Sequence, residues 1–212
     1  MAKHYDQYCP IAHALELVGE RWSLLIVREL LTGPKRYTDL SGGLPHIGTN
    51  VLAARLKELE RCGIVTKRRL PPPTPAQVYE LTPYGASLKV VMRELALWGL
   101  RSLGAPQEDD QFAPGWLEGA LDTVFAPVAP AGVFEFRIGD ETASLVDGEA
   151  RSAPAEEPDV VVESDTKSFY YLFVERRWDG VTVEGDRELF ERLLDAVAPA
   201  VDAPVGDAPV AA

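Results

Sequence analysis

Apolar residues recur at helical spacing through the first hundred positions. Ile11, Ala14, Leu15 and Val18 fall three or four apart, and so do Trp22, Leu25, Ile26 and Leu30. That period predicts two amphipathic helices. Gly33-Pro34 stops the second, because glycine accepts a left-handed cap and proline cannot continue a helix. A short helix is predicted at residues 37–41, ended by Gly42-Gly43 and Leu44-Pro45. From Thr49 the residues Leu52, Leu56 and Leu59 form one apolar stripe, with Thr49, Asn50, Ala53, Lys57 and Arg61 away from it. Gly63 ends that helix. Residues 64–70 and 78–82 are β-branched or alternating, which predicts two short strands joined by a loop stiffened by Pro71, Pro72, Pro73 and Pro75. Thr82 as N-cap and Pro83 in the first turn open a last helix. Leu88, Val91, Met92, Leu95 and Trp98 are its apolar face.

Beyond this the period shortens. Phe134, Phe136 and Ile138 alternate with polar residues, and residues 142–146 read as the hairpin partner across Gly139-Asp140. Residues 159–163 and 181–184 are two more strands. Residues 166–177 and 187–197 are helical in pattern. The expected fold is therefore a mainly α N-terminal domain at residues 1–103 and a mixed α+β domain at residues 116–197. The Pro-, Gly- and acid-rich residues 104–115 link them. The Ala/Pro/Val/Asp segment 198–212 reads as a disordered tail.

Charge sharpens this division. The 212 residues carry a net charge of −12, which argues against nucleic acid until it is divided. Residues 1–104 hold 14 Lys and Arg against 9 Asp and Glu, a balance of +5, whereas the rest of the chain stands at −17. A split this large points to two modules with different partners. No run of 18 apolar residues exists, so no membrane helix is expected. The N-terminus lacks a basic stretch followed by an apolar one, so no signal peptide is expected and the location is read as cytoplasmic. Two cysteines make no disulfide scaffold. The three histidines form no metal pattern with them, so neither metal nor cofactor is expected.

The chemistry lies in the order helix, helix, short helix, turn, helix, basic hairpin, helix. In a helix-turn-helix the second helix enters the major groove by its N-terminal end. The helix from Thr49 is the candidate, offering Thr49, Asn50 and Lys57 to bases or phosphates, with Arg55 on its flank. Lys67, Arg68 and Arg69 on a projecting hairpin, and Lys35 and Arg36 before the short helix, are candidates for backbone contact. The alternative function is a carrier of hydrophobic ligands whose first domain only dimerises. No nucleophile–base pair, metal set or phosphate loop supports an enzyme.

Several motifs in order resemble one family. They are Cys9-Pro10-Ile11 with Ala14-Leu15, Gly19 to Ile26, Arg28 to Leu31 with Gly33-Pro34, Arg36-Tyr37, residues 55–60, residues 63–65, residues 79–83, Gly85 and Leu97-Trp98. Together they resemble the HxlR family of transcription regulators over residues 5 to about 101. The resemblance implies a winged helix-turn-helix, a homodimer formed through the first and last helices, and regulation of nearby genes. Repression is the expected sign, since a protein occupying a promoter blocks it unaided. Two departures stand out: the family's Gly-Ile-Ser reads His46-Ile47-Gly48 here, and Asn50 replaces a common basic residue. The family often carries a cysteine at the position of Cys9, which some members use to sense oxidants or electrophiles. Lys3, His4 and His13 are the neighbours that would lower its pKa.

The second half resembles the SCP2-like (sterol carrier) domain through residues 133–136, Asp147-Gly148, residues 158–162 with Ser164, residues 180–186 and a closing helix. That resemblance implies an apolar cavity for a hydrophobic effector. Phe134, Phe136, Phe169, Tyr170, Phe173 and Trp178 are the candidate liners.

Overall fold

The computed structural model describes residues 4–71, 75–107, 110, 112 and 114–197. The expected tail at 198–212 lies outside the described residues, as do Pro72, Pro73 and Thr74 of the hairpin loop and part of the segment 104–115. The chain divides into two compact units between Met92 and Arg93.

The first unit is built from α1 (Pro10–Val18), α2 (Ser23–Leu31), α3 (Tyr37–Gly43), α4 (Thr49–Arg61), an antiparallel hairpin of β1 (Val65–Arg69) and β2 (Gln77–Leu81), the single turn α5 (Pro83–Ala86) and the start of α6 (Leu88–Leu103). Ile26, Val27 and Leu30 of α2 pack with Leu40, Leu52, Leu56, Leu59 and Ile64 in one core, all of them buried. The α4 stripe therefore faces inward as its period predicts. Thr82 caps α5, its hydroxyl accepting from the Gly85 amide at 3.0 Å and donating to the Gly63 carbonyl at 2.6 Å. Gly85 must be glycine here, since a Cβ would run into the Ile64 carbonyl.

The apolar face expected on α6 is only partly buried. Met92 is in the first unit's core, but Val91, Leu95 and Trp98 are exposed. On α1, Ile11 and Leu15 are exposed too, so the residues that set its period do not all seek the core.

The second unit contains α7 (Trp116–Ala120), which runs into a π-helical turn at Leu121–Phe125 and a 3₁₀ turn at Ala126–Val128. Five strands follow: β3 (Val133–Ile138), β4 (Glu141–Val146), β5 (Glu149–Arg151), β6 (Val160–Ser164) and β7 (Val181–Gly185), in the spatial order β5-β4-β3-β6-β7. Only β3 and β6 are parallel. α8 (Thr166–Glu175) joins β6 to β7, and α9 (Arg187–Val197) closes the unit. The register sets Leu145, Phe134 and Val160 in one row and Ala143, Phe136 and Val162 in the next. Phe125, Phe169, Leu172, Phe190 and Leu193 cover those rows. On the opposite face the buried Glu135 is satisfied by Arg137 at 2.6 Å and by the Ala155 amide at 2.8 Å. No helix among the described residues is long and apolar enough to cross a membrane.

Candidate nucleic-acid interface

α3 and α4 meet through a tight turn whose Leu44 and Ile47 are buried, so the angle between the helices is set by the core. The Tyr37 hydroxyl donates to the Thr49 carbonyl at 2.7 Å and locks the start of α4 to α3. Gly48 is the N-cap of α4 and supplies no side-chain acceptor, so the first amides of the helix remain open to another partner. Asn50, Ala53, Ala54, Lys57 and Arg61 are exposed and recur at helical spacing along one face. The two alanines matter: between Asn50 and Lys57 they keep the face low.

The sequence-predicted cations fall into two groups. Arg36, Lys57 and Arg69 are exposed and make no ion pair among the described residues. The others are held. Lys35 Nζ donates to Glu29 Oε2 at 2.9 Å, and the same buried carboxylate takes Arg28 at 2.8 Å. Lys35 also exchanges backbone hydrogen bonds with Tyr79, adding a third edge to the hairpin. Its position is thus a support of the hairpin. Arg55 is largely covered and reaches Glu20 at 3.7 Å.

On the hairpin, Lys67 Nζ lies 2.8 Å from Glu60 Oε2 and over the Tyr79 ring at 5.6 Å. The Glu60 hydrogen bond holds the Lys67 pKa above its ordinary value. Arg68 Nε spans both oxygens of Glu80 at 2.8 and 3.0 Å. Arg61 at the end of α4 pairs with Glu58 at 2.7 Å, which holds that carboxyl below the usual range. These pairs are exposed, and such pairs contribute roughly 0.2–1 kcal/mol each. A phosphate can therefore draw Lys67, Arg68 or Arg61 from its carboxylate at small cost. The periodicity of the sequence exposed the cations but not their counter-ions. Glu60 and Glu80 are separated from Lys67 and Arg68 by a turn and a hairpin, and Glu29 has no signature beyond its place inside an apolar helix.

Cys9 is the N-cap of α1 and half-buried. Of the histidines expected beside it, His4 Nδ1 lies 3.0 Å and His13 Nδ1 3.5 Å from the Glu16 carboxylate, which also accepts the Tyr5 amide at 2.8 Å. These contacts hold the Glu16 carboxyl below its usual range, the amide first among them. Lys3 lies outside the described residues.

In the second unit the six aromatic residues expected to line a cavity are buried or half-buried, five of them in contact with other rings. Phe134 and Phe136 have no exposed surface, and Phe136 meets Phe125, Phe169 and Phe190 with ring centres 6.0–6.2 Å apart. Phe173 packs edge-on to Phe169 and Phe125 at 4.8 Å, and Trp178 contacts Phe190. Tyr170 packs against Tyr171, with centres 5.5 Å apart. Burial pushes the Tyr170 hydroxyl pKa up. A hollow of about 580 Å³ in this unit has a different lining, which includes Phe112, Trp116, Asp140 and Glu141.

Comparison with known proteins places the helical unit among regulators. A family model described as HxlR-like helix-turn-helix matches residues 17–107. The HTH-type transcriptional regulator YodB of Bacillus subtilis (strain 168) is 40% identical over 91 residues, covering 42% of this chain and 81% of YodB. The uncharacterised HTH-type transcriptional regulator YvaP of the same organism is 38% identical over 95 residues, covering 44% of this chain and 87% of YvaP. Among solved structures, the reduced form of B. subtilis YodB matches with 38% identity and a TM-score of 0.40, covering 44% of this chain and 92% of that one.

Proposed function

The chain belongs to the HxlR family of helix-turn-helix transcriptional regulators, and from that premise we propose that it is a cytoplasmic homodimeric repressor whose second unit adjusts DNA binding in response to a small effector. The observation that carries the DNA-binding reading is the outward face of α4. Asn50 and Lys57 stand on it one above the other across two alanines, while Leu52, Leu56 and Leu59 anchor the opposite side. Asparagine pairs with adenine through two hydrogen bonds, and the open amides at Gly48 suit a phosphate. Arg36 before α3 and Arg69 on the hairpin lie on elements that flank α4 in sequence and supply backbone contact on either side.

Dimerisation is supported by the exposed apolar residues Ile11 and Leu15 on α1, and by Val91, Leu95 and Trp98 on α6. A dimer of such domains reads two half-sites about one helical turn apart, near 34–36 Å centre to centre. For the second unit, a five-stranded sheet covered by helices supports the reading as an SCP2-like module. The carrier function is less well supported, because Phe134 and Phe136, which would enclose a lipid, are fully buried in a packed aromatic core.

Footprinting of the protein on the DNA upstream of its own gene, repeated as a gel-shift series in rising salt, tests the reading. A protected pair of half-sites whose affinity falls steeply with salt is expected. Absence of binding at low salt, or indifference to salt, overturns it.

A further inference from the structure

The hollow in the second unit lies beside the turn between β3 and β4, where the start of α7 passes over it. Its volume of about 580 Å³ falls in the range of small-molecule sites, roughly 300–1,000 Å³. Phe112 and Trp116 stand on its rim, ring centres 5.1 Å apart and edge to face. Each leaves about two fifths of its surface exposed, at 43% and 40%. Two large rings set edge to face yet facing water form a platform for a flat or apolar body.

The polar groups around that platform have one sign. Glu141 accepts the Gly115 amide at 2.7 Å and the Leu117 amide at 2.8 Å, so this carboxylate also holds the wall that carries Trp116. Asp140, at the tip of the turn, is exposed and makes no ion pair among the described residues. Thr142 and Thr166 add hydroxyls, and among the described residues no lysine or arginine is in the lining. Residues 105–212 carry a net −17, so the field of the whole second half also draws cations toward the hollow.

We propose that the hollow bounded by Phe112, Trp116, Asp140 and Glu141 binds an organic cation with an aromatic or bulky apolar body. The rings take the apolar part and the face of Trp116 attracts the positive centre, an interaction that strengthens as water is excluded. Asp140 supplies the counter-charge. Anions are rejected by the two carboxylates, and a neutral sterol-like molecule gains only the rings. The proposal names the effector class for the second unit and, as far as regulation goes, rests on the reading of that unit as an effector module. Binding itself does not depend on that reading.

The test uses the full-length protein with two probes of the same shape and opposite charge, tetraphenylphosphonium and tetraphenylborate, titrated by calorimetry in sodium buffer. Saturable binding of the phosphonium, with no binding of the borate, is expected. Trp116→Ala should weaken the phosphonium by about tenfold or more, and Asp140→Asn by about threefold to tenfold. Asp140→Lys, at an exposed turn where the fold does not depend on the side chain, should abolish it. Equal binding of the two probes, unchanged affinity in the Asp140 variants, or no binding of the phosphonium overturns the proposal. Operator affinity is read separately. If the phosphonium binds as expected but leaves DNA affinity unchanged, the site stands and the effector reading of the second unit falls.

Discussion

Lys67 Nζ lies 2.8 Å from Glu60 Oε2, so the hairpin's first cation is held by the last turn of the helix proposed to enter the groove. The pair joins β1 to α4 and places a negative charge beside the surface proposed to face DNA. Glu60→Gln removes that charge and releases Lys67. DNA affinity should rise severalfold at low salt. The slope of log affinity against log salt should steepen by about one as Lys67 becomes a full phosphate contact. A gel-shift series at four or five salt concentrations reads both quantities, and an unchanged slope would show that releasing Lys67 adds no phosphate contact.

Asn50 and Arg69 are both exposed, and they should fail differently. Loss of Asn50 removes base readout, so Asn50→Ala should cost about 1–3 kcal/mol on the operator and leave non-specific binding nearly as it was. Arg69→Ala should weaken all sequences alike and lower the salt slope by about one. Competition between operator and random duplex distinguishes the two. Arg55→Ala is the informative contrast: its guanidinium faces Glu20, so its effect should be on thermal stability more than on DNA.

Gly85 offers a purely steric test of the link between hairpin and α6. Any Cβ there meets the Ile64 carbonyl, which also accepts from the Thr82 amide and lies beside the Thr82 hydroxyl. Gly85→Ala should destabilise the first unit by about 1–3 kcal/mol. Gly48→Ala should not, because a Cβ at Gly48 makes only ordinary contact with Val51, at 3.8 Å. Thermal unfolding of the two variants side by side gives the comparison.

Trp98 is two-thirds exposed on α6, one turn from Leu95 and two turns from Val91, both exposed as well. Exposed apolar residues grouped on one helix face mark an interaction surface. Trp98→Glu should shift sedimentation from dimer to monomer and weaken operator binding by at least the loss of one half-site. A wild-type protein that sediments as a monomer at micromolar concentration would refute the dimer outright.

The parts of this molecule that sequence exposes are those with long, unbroken periods. The stripe Leu52, Leu56 and Leu59 predicts the inward side of α4, and residues 187–197 predict α9 with its own bounds, because each has one buried side and one wet side. The segment from Trp116 to Val128 has no such period. It changes from α to π to 3₁₀ geometry within 13 residues and carries Gly119 and Pro127, so no single spacing describes it. β5 is three residues long and too short to alternate. On α6 the apolar positions serve more than one side: Met92 and Leu97 are buried while Val91, Leu95 and Trp98 are exposed. A single-face reading merges them. For the site, residue type revealed which side chains carry charge but not which are already neutralised. Lys35 is bound by Glu29 and Arg55 by Glu20, partners six and thirty-five positions away, set by the packing of α2 and of the turn after α1.

Asp165 gives a prediction whose sign depends on pH. Its carboxylate caps α8, accepting the Ser168 amide at 2.8 Å and the Ser168 hydroxyl at 2.7 Å. Those two hydrogen bonds hold its pKa below the ordinary value of 3.8. A carboxyl whose folded pKa is depressed binds its proton more readily in the unfolded chain. The stabilisation is therefore complete above the unfolded value and is lost as pH falls through the folded one. At neutral pH, Asp165→Ala should lower the stability of the second unit by about 1 kcal/mol, the usual cost of an N-cap. The gap between wild type and variant should close once the solution is more acidic than the folded pKa. Asp165→Asn keeps an acceptor for the Ser168 amide and should cost only a few tenths of a kcal/mol at neutral pH, and since Asn does not titrate, this gap too should narrow as the wild type is acidified. Thermal unfolding of the three proteins across the acid range measures this. A wild-type-to-Ala difference that stays constant down to the lowest pH would mean the cap acts through its shape alone and not through its charge.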